Sequence, residues 1–239
     1  MNLYIDIETI PSQLPWVKED IRLNIKAPGN YKKPEAIAKW KEDNWEDQWL
    51  KTSLDGSRGE IICIAWALDD SEPEVVWRKL PSSKDDYSGS EEEVIRSFFS
   101  KVVEQIRLAD LAEKGLREAG ELGVPGPVWV GHYLTGFDLR FIWQRCVINS
   151  IPPQISIPYD ATAWDRRVFD TKLEWSGKQP SGAGSLDMVS RLLGYEGKGD
   201  IDGSKVWGYV QDGREEEVAE YCRQDVEKTR ILHKRMTFL

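Results

Sequence analysis

The sequence predicts an α/β domain: a mixed central sheet flanked by helices, with a partly helical insertion after the first strand. Three observations carry that reading. Residues 3–10 (LYIDIETI) alternate apolar and polar side chains, the period of a strand with one buried face. Residues 60–68 (EIICIAWAL) are apolar almost throughout, as in a strand covered on both faces. Beyond them short apolar strands and amphipathic helices interleave, which builds layers around one sheet. The 239 residues are read as a single domain, 1–239, ample to bury a core.

In the first strand Leu3, Ile5 and Ile7 point to a core, and Asp6 and Glu8 point together the other way, because residues two apart share a face. Residues 11–59 form an insertion between the first two strands, broken by Pro11, Pro15, Pro28 and Pro34. Its helical part runs from Pro34, a residue suited to a first turn, to Leu50. Trp16, Trp40, Trp45 and Trp49 suit two uses, stacking on nucleic-acid bases or pinning the insertion to the body; pinning is the commoner one. After the strand at 60–68, Asp69 to Pro73 make a turn and Glu74–Arg78 an antiparallel third strand.

Ser90 and Glu93 make a capping box for a helix whose apolar face includes Val94, Ile95, Phe98, Phe99, Val102 and Ile106. That helix is expected to end near Gly115 or Gly120, before a loop at 123–127. Val128–Val130 is a short strand, Gly131–Gly136 a turn, and Phe137–Ile148 a helix. Val168–Asp170 is a fifth strand. Residues 181–185 lead to a helix capped by Ser185, residues 194–213 are Gly-rich connection, and the last helix starts from a D-x-x-E cap at Asp212 and runs to about Met236.

Composition excludes several classes. There is no apolar run of about 18 residues, hence no membrane span, and no basic-then-apolar leader. Cys63, Cys146 and Cys222 are few and far apart, which speaks against a disulfide framework or zinc knuckle and for core filling in a reducing cytoplasm. The net charge of −9 argues against coating long duplex DNA by charge alone. It leaves room for an enzyme that grips a few nucleotides where bound metal ions supply the positive charge.

Three stretches hold acids that a scaffold can bring together. Two carboxylates on one strand face, Asp6 and Glu8, repel unless a cation lies between them. Asp138 opens a helix after the turn Gly131-His132-Tyr133-Leu134-Thr135-Gly136. Tyr221 and Asp225 are four apart on the last helix and share a face. Singly each has a bland reading: a solvated acidic strand face, an aspartate favoured by a helix dipole, a core tyrosine beside a surface acid. Together, in order and each in its context, they are a much stronger signal. Gly182-x-Gly184 is no phosphate loop, since no Gly-Lys-Ser/Thr follows. His132 reads as a structural hydrogen-bonder and Asp170 as a turn former near the site. Lys172, Lys178, Lys198 and Lys205 either guide a nucleic-acid backbone or solvate a loop, and the basic end Lys228, Arg230, Lys234 and Arg235 suits a helix C-terminus.

This order of motifs resembles the DEDD 3′–5′ exonucleases of the ribonuclease-H-like superfamily, over nearly the whole chain. Asp6-Ile7-Glu8-Thr9 resembles their first motif, Gly131-His132 through Phe137-Asp138 the second, and Tyr221 to Asp225 the third in its tyrosine form. Ser185-Leu186, Leu193-Gly194 and Asp225-Val226 are similar to exonucleases related to the proofreading domain of family-B DNA polymerases, of which phages and bacteria carry stand-alone forms. The histidine subtype would place His at 220, where this chain has Glu220, and Tyr133 replaces an asparagine usual in the second motif.

The resemblance implies a ribonuclease-H-like fold and hydrolysis of nucleotides from a 3′ end, most simply single-stranded DNA, releasing nucleoside monophosphates. Four carboxylates without a His or Cys cluster suit Mg²⁺ or Mn²⁺, and two such ions about 4 Å apart bracket a phosphodiester. Asp6, Glu8, Asp138 and Asp225 are then the metal ligands and, with Tyr221, the catalytic set. Tyr221 orients the attacking water, since a phenol of ordinary pKa is a poor base at neutral pH. Thr9 and Ile10 by their backbone, Tyr133, and Phe137 by stacking or as core are the candidate substrate contacts. The main rival is a module of the same fold that binds nucleic acid without cutting it; a second, a metal-dependent phosphatase or kinase-type enzyme on small molecules, would call for a phosphate-cradling Gly-rich loop or a histidine metal cluster, and the sequence has neither.

Overall fold

The structure, a computed structural model, describes residues 1–80, 89–114, 126–179, 184–195 and 201–239. The helix end expected near Gly115 or Gly120, most of the loop at 123–127, Gly182 and Lys198 lie outside these residues.

Five strands form one mixed sheet: β1 (Asn2–Ile10), β2 (Glu60–Leu68), β3 (Glu74–Trp77), β4 (Val128–Gly131) and β5 (Val168–Asp170), in the order β3-β2-β1-β4-β5. β2 runs antiparallel to both β1 and β3, and β4 runs parallel to both β1 and β5. The helices are α1 (Pro15–Asn24), α2 (Pro34–Leu50), α3 (Glu91–Lys114), α4 (Asp138–Ile148), α5 (Thr171–Trp175), α6 (Leu186–Leu192), α7 (Val206–Gln211) and α8 (Glu215–Thr237).

Strand alternation divides the core in two. Leu3, Ile5 and Ile7 of β1 face α3 and α4, packing with Phe98, Phe99, Trp129 and Phe141. Tyr4 and Ile10 face the other way, toward α7 and α8, with Val218, Cys222 and Val226. β2 is buried along its whole length, as expected for a strand with helices on both sides. The β1–β2 register shifts between Glu8 and Thr9: Glu8 lies opposite Cys63 but Thr9 opposite Ile61, so Ile62 is an extra residue on β2. The bulge puts both Ile62 and Cys63 against the α7–α8 side.

The capping box forms as expected: the Glu93 amide donates to Ser90 Oγ (3.1 Å), and the Ser90 amide to Glu93 Oε2 (2.9 Å). Ser185 caps α6 through the Met188 amide. The cap at Asp212 is corrected. Asp212 ends α7, Gly213 turns the chain at φ 71°, and α8 begins after Arg214 with no side-chain cap bond. Residues 194–213 are therefore not all connection, since they contain α7. Its six residues are too few for a periodic pattern to stand out, and α1 and α5 are likewise too short or too polar to show one. In the insertion, Trp49 does the pinning. It is buried, its Nε1–H donates to Ser12 O (2.9 Å), and it meets Trp207 of α7 edge-on. Trp16 is exposed, and Trp40 and Trp45 are half-buried.

Candidate active site

The candidate residues gather where β1 runs past the end of β4. β4 pairs only with Asn2–Tyr4, so further along that edge of β1 the backbone needs another partner. The Ile7 amide finds one in Asp138, donating to Oδ1 at 3.3 Å. Asp138, first residue of α4, is thereby set against the residue that separates Asp6 from Glu8, and it is buried. Burial, and then the nearby Asp170 carboxylate, push its pKa up from 3.8 to about 7, against the hydrogen bonds from its own amide and that of Ile7.

α8 covers the other face of β1. Its buried stripe includes Val218, Tyr221, Cys222, Asp225, Val226 and Thr229, the three- and four-residue spacing of one helix side. Tyr221 is 7% exposed. Its phenol is held strongly toward the protonated form, first by burial and then by the charges of Asp225, Glu8 and Asp6. That electrostatic coupling ties the third motif to the first. The Cys222 thiol donates to Asp6 at both its backbone oxygen and Oδ2, each at 3.3 Å. Burial and the neighbouring Cys63 hold that thiol protonated. Lys228 Nζ lies 2.8 Å from Asp225 Oδ1, with both side chains largely buried.

Asp170 organises the turn beneath the site. Its carboxylate caps α5 through the Lys172 and Leu173 amides and accepts from the Tyr133 and Thr135 amides and the Thr135 hydroxyl. His132 bonds Thr171 Oγ1 (3.0 Å) and the Gly184 carbonyl (3.2 Å). Burial pushes its pKa down to about 4, so the ring is neutral near pH 7.

The four candidate substrate contacts are placed differently from one another. Thr9 gives its hydroxyl to the Ser53 carbonyl (2.6 Å) and borders a cleft of about 460 Å³ shared with Pro11, Leu50, Leu54 and Trp207. The Ile10 side chain is wholly buried in the α8-side core. Phe137 is half-buried, packed on Phe141 with ring centres 5.4 Å apart. Tyr133 is exposed at φ 72°, a left-handed conformation costly for a tyrosine, and Lys172 Nζ sits 3.9 Å from its ring centre. Cys222 and Lys228 are the contacts that sequence reading missed. Their signal was helical spacing: Cys222 adjoins Tyr221, and Lys228 lies three residues after Asp225.

The donor chemistry, carboxylates without imidazole or thiolate, fits a hard divalent ion. The placement is not a finished cage. Among the described residues no three His, Cys, Asp or Glu side chains form a group that holds a metal as they stand, with Asp225 held on Lys228 and Asp138 on the β1 backbone.

Over 99% of its length the chain is similar in structure to the family B DNA polymerase from the hyperthermophilic archaeon Pyrobaculum calidifontis, with a TM-score of 0.53 and 17% sequence identity. It spans 24% of that polymerase's chain. The likeness defines the class of fold, an α/β domain with a mixed five-stranded sheet flanked by helices. A family model described as a predicted 3′–5′ exonuclease related to the exonuclease domain of PolB matches residues 120–239, half of the chain, and the protein belongs to that family. The matched half contains Asp138, Tyr221 and Asp225 and excludes Asp6 and Glu8. No curated protein sequence matches the chain.

Proposed function

We propose that the protein is a metal-dependent 3′–5′ exonuclease that removes nucleoside monophosphates from DNA ends, with Asp6, Glu8, Asp138, Asp225 and Tyr221 as its catalytic set. The observation that carries this reading is convergence. A strand, a helix start and a distant C-terminal helix bring carboxylates to one stretch of β1: Asp138 bonds Ile7, and Tyr221 lies in the field of Asp6, Glu8 and Asp225. Family membership supports the reaction class.

Asp6, Glu8, Asp138 and Asp225 would hold Mg²⁺ or Mn²⁺, which when bound supplies an activated water and charge for the phosphodiester being cut. Tyr221 keeps its proton and therefore acts as a hydrogen-bond donor or orienter, not as a base. Asp170 holds the turn that delivers Asp138, and His132, neutral, ties that turn to the start of α6. The cleft beside Thr9, with Trp207 and Leu54 in its wall, is suited to an unstacked base. A single strand is the natural substrate for such a cleft.

A 5′-labelled single-stranded DNA oligonucleotide, with an RNA counterpart, incubated with Mg²⁺, Mn²⁺ or EDTA tests this. The expected result is a ladder that needs metal and disappears in Asp6→Ala. No ladder with either metal, or one that survives Asp6→Ala, overturns the proposal. Retained binding of the oligonucleotide without any cleavage would favour a non-cutting binding module.

A further inference from the structure

Lys228 sits inside the proposed catalytic set without having been assigned a part in it. It lies three residues after Asp225 on α8, so its stem returns along the same helix face. Its ammonium is 2.8 Å from Asp225 Oδ1, with the two side chains 14% and 6% exposed, and is 5.9 Å from the Tyr221 ring centre. This is not a solvated surface pair. It puts a fixed cation on a carboxylate that the reading above gives to a divalent ion, and the described acids do not group into a metal cage in this arrangement. One oxygen cannot serve both cations at ion-pair distance without crowding two positive charges. Lys228 also has somewhere to go: it lines a cleft of about 440 Å³ whose wall includes the carboxylates of Glu72 and Glu227 beside Tyr195, Gln224, Arg223 and Arg230.

We infer that Lys228 is a resident counter-ion of Asp225, a positioning residue that a divalent ion displaces toward this cleft when it binds. The inference rests on the metal-dependent reading of the site. Lys228 keeps Asp225 compensated and correctly aimed while no metal is present, at the expense of metal affinity.

Calorimetric titration of Mn²⁺ into wild type, Lys228→Met and Lys228→Arg tests it without reference to cleavage. Methionine keeps the apolar stem and removes the charge. Lys228→Met is expected to bind Mn²⁺ about 10-fold more tightly, the scale of one charge-assisted hydrogen bond no longer broken on binding. Lys228→Arg, which keeps the cation, is expected to bind like wild type. Thermal melting adds a second readout: Lys228→Met should lose stability against wild type in EDTA and recover it in saturating Mn²⁺. Equal or weaker Mn²⁺ binding by Lys228→Met, or the same loss of melting temperature with and without Mn²⁺, overturns the inference and leaves the exonuclease reading standing. A wild type that binds no Mn²⁺ overturns both.

Discussion

Asp138 and His132 lie six residues apart and titrate in opposite senses. Asp138 has a folded pKa of about 7 against 3.8 for the free group, so between those values the folded chain holds more protons than the unfolded one. Its contribution is therefore fully present below about 4 and is lost as pH rises through 7. His132 has a folded pKa of about 4 against 6.5, so its contribution is present above 6.5 and is lost as pH falls through 4. In EDTA, Asp138→Asn removes the first effect and leaves the second. We expect its melting temperature to exceed that of wild type at pH 7, with the gap closing by pH 4; a gap that stays constant from pH 7 to pH 4 would show that Asp138 is not the group responsible. For Tyr221→Phe, single-turnover cleavage should slow by about 10- to 100-fold, the worth of roughly 1.5–3 kcal/mol in a hydrogen bond to a charged group. Calorimetry should show metal affinity unchanged, because the phenol is not in the proposed ligand set. At this scale the faces that carry the candidate acids were legible, since strand alternation and helical spacing fix which side chains lie together. The hydrogen bonds of Asp138 and Cys222 were not: they cross from one element to another, and no local pattern encodes which atom a side chain reaches.

α4, which carries Asp138, is tied to α3 and β2 by a buried pair. Glu91, at the start of α3, accepts from Arg145 of α4 (Nη2 at 2.6 Å and Nε at 2.8 Å), from Asn149 and from the Ile61 amide of β2. Arg145 also reaches the Gly56 carbonyl in the insertion. Arg145→Ala would leave Glu91 buried without its cation, a loss of about 3–5 kcal/mol in urea unfolding; a loss under about 1 kcal/mol would mean that water or another donor replaces it. The long elements of the fold were readable because each carries enough residues to show a period: β1, β2, α3, α4 and most of α8. α5 and α7 were not. α5 is started by the Asp170 cap and α7 is held by Val206 and Val210 against the α8-side core, tertiary causes with little local trace. Tyr133 belongs to the same category. Its left-handed backbone is imposed by the turn around Asp170, and its ring lies close enough to Gly136 that a Cβ there would come within 2.4 Å of it. A side chain at 136 would thus have to push the exposed Tyr133 ring aside, while the backbone angles of Gly136 do not themselves call for glycine.

Across the whole molecule, the proposed site joins the two ends of the chain, β1 and α8, with the second motif between them. Binding a ligand there should therefore stabilise the global fold and not just a loop. Mn²⁺ at 100 times its Kd should add about 2.7 kcal/mol to stability, seen as a raised melting temperature, and Asp6→Asn should abolish most of the rise. An equal rise in Asp6→Asn would place the binding elsewhere. The mixed sheet was legible at this scale from the hairpin of β2 and β3 and from the strand–helix alternation after it. The position of the insertion was legible too, but not its means of attachment. Trp49 meets Trp207 more than 150 positions away, and Thr9 is bonded to Ser53, so the insertion returns to the very end of β1. No helix among the described residues is long and apolar enough to cross a membrane.

The extra residue Ile62 gives β2 a change of parity. On either side of it, odd- and even-numbered positions exchange faces relative to β1, so the count of residues between Glu60 and Cys63 acts as a reading frame for the sheet. Removing Ile62 would leave Thr9 opposite Ile61 and make the ladder regular, with Glu60 and Ile61 on their present faces and the Glu60–Arg78 and Ile61–Glu91 bonds kept. In a pairwise alignment with a relative that has a regular β1–β2 ladder, the one-residue gap belongs at this point, immediately across from Glu8.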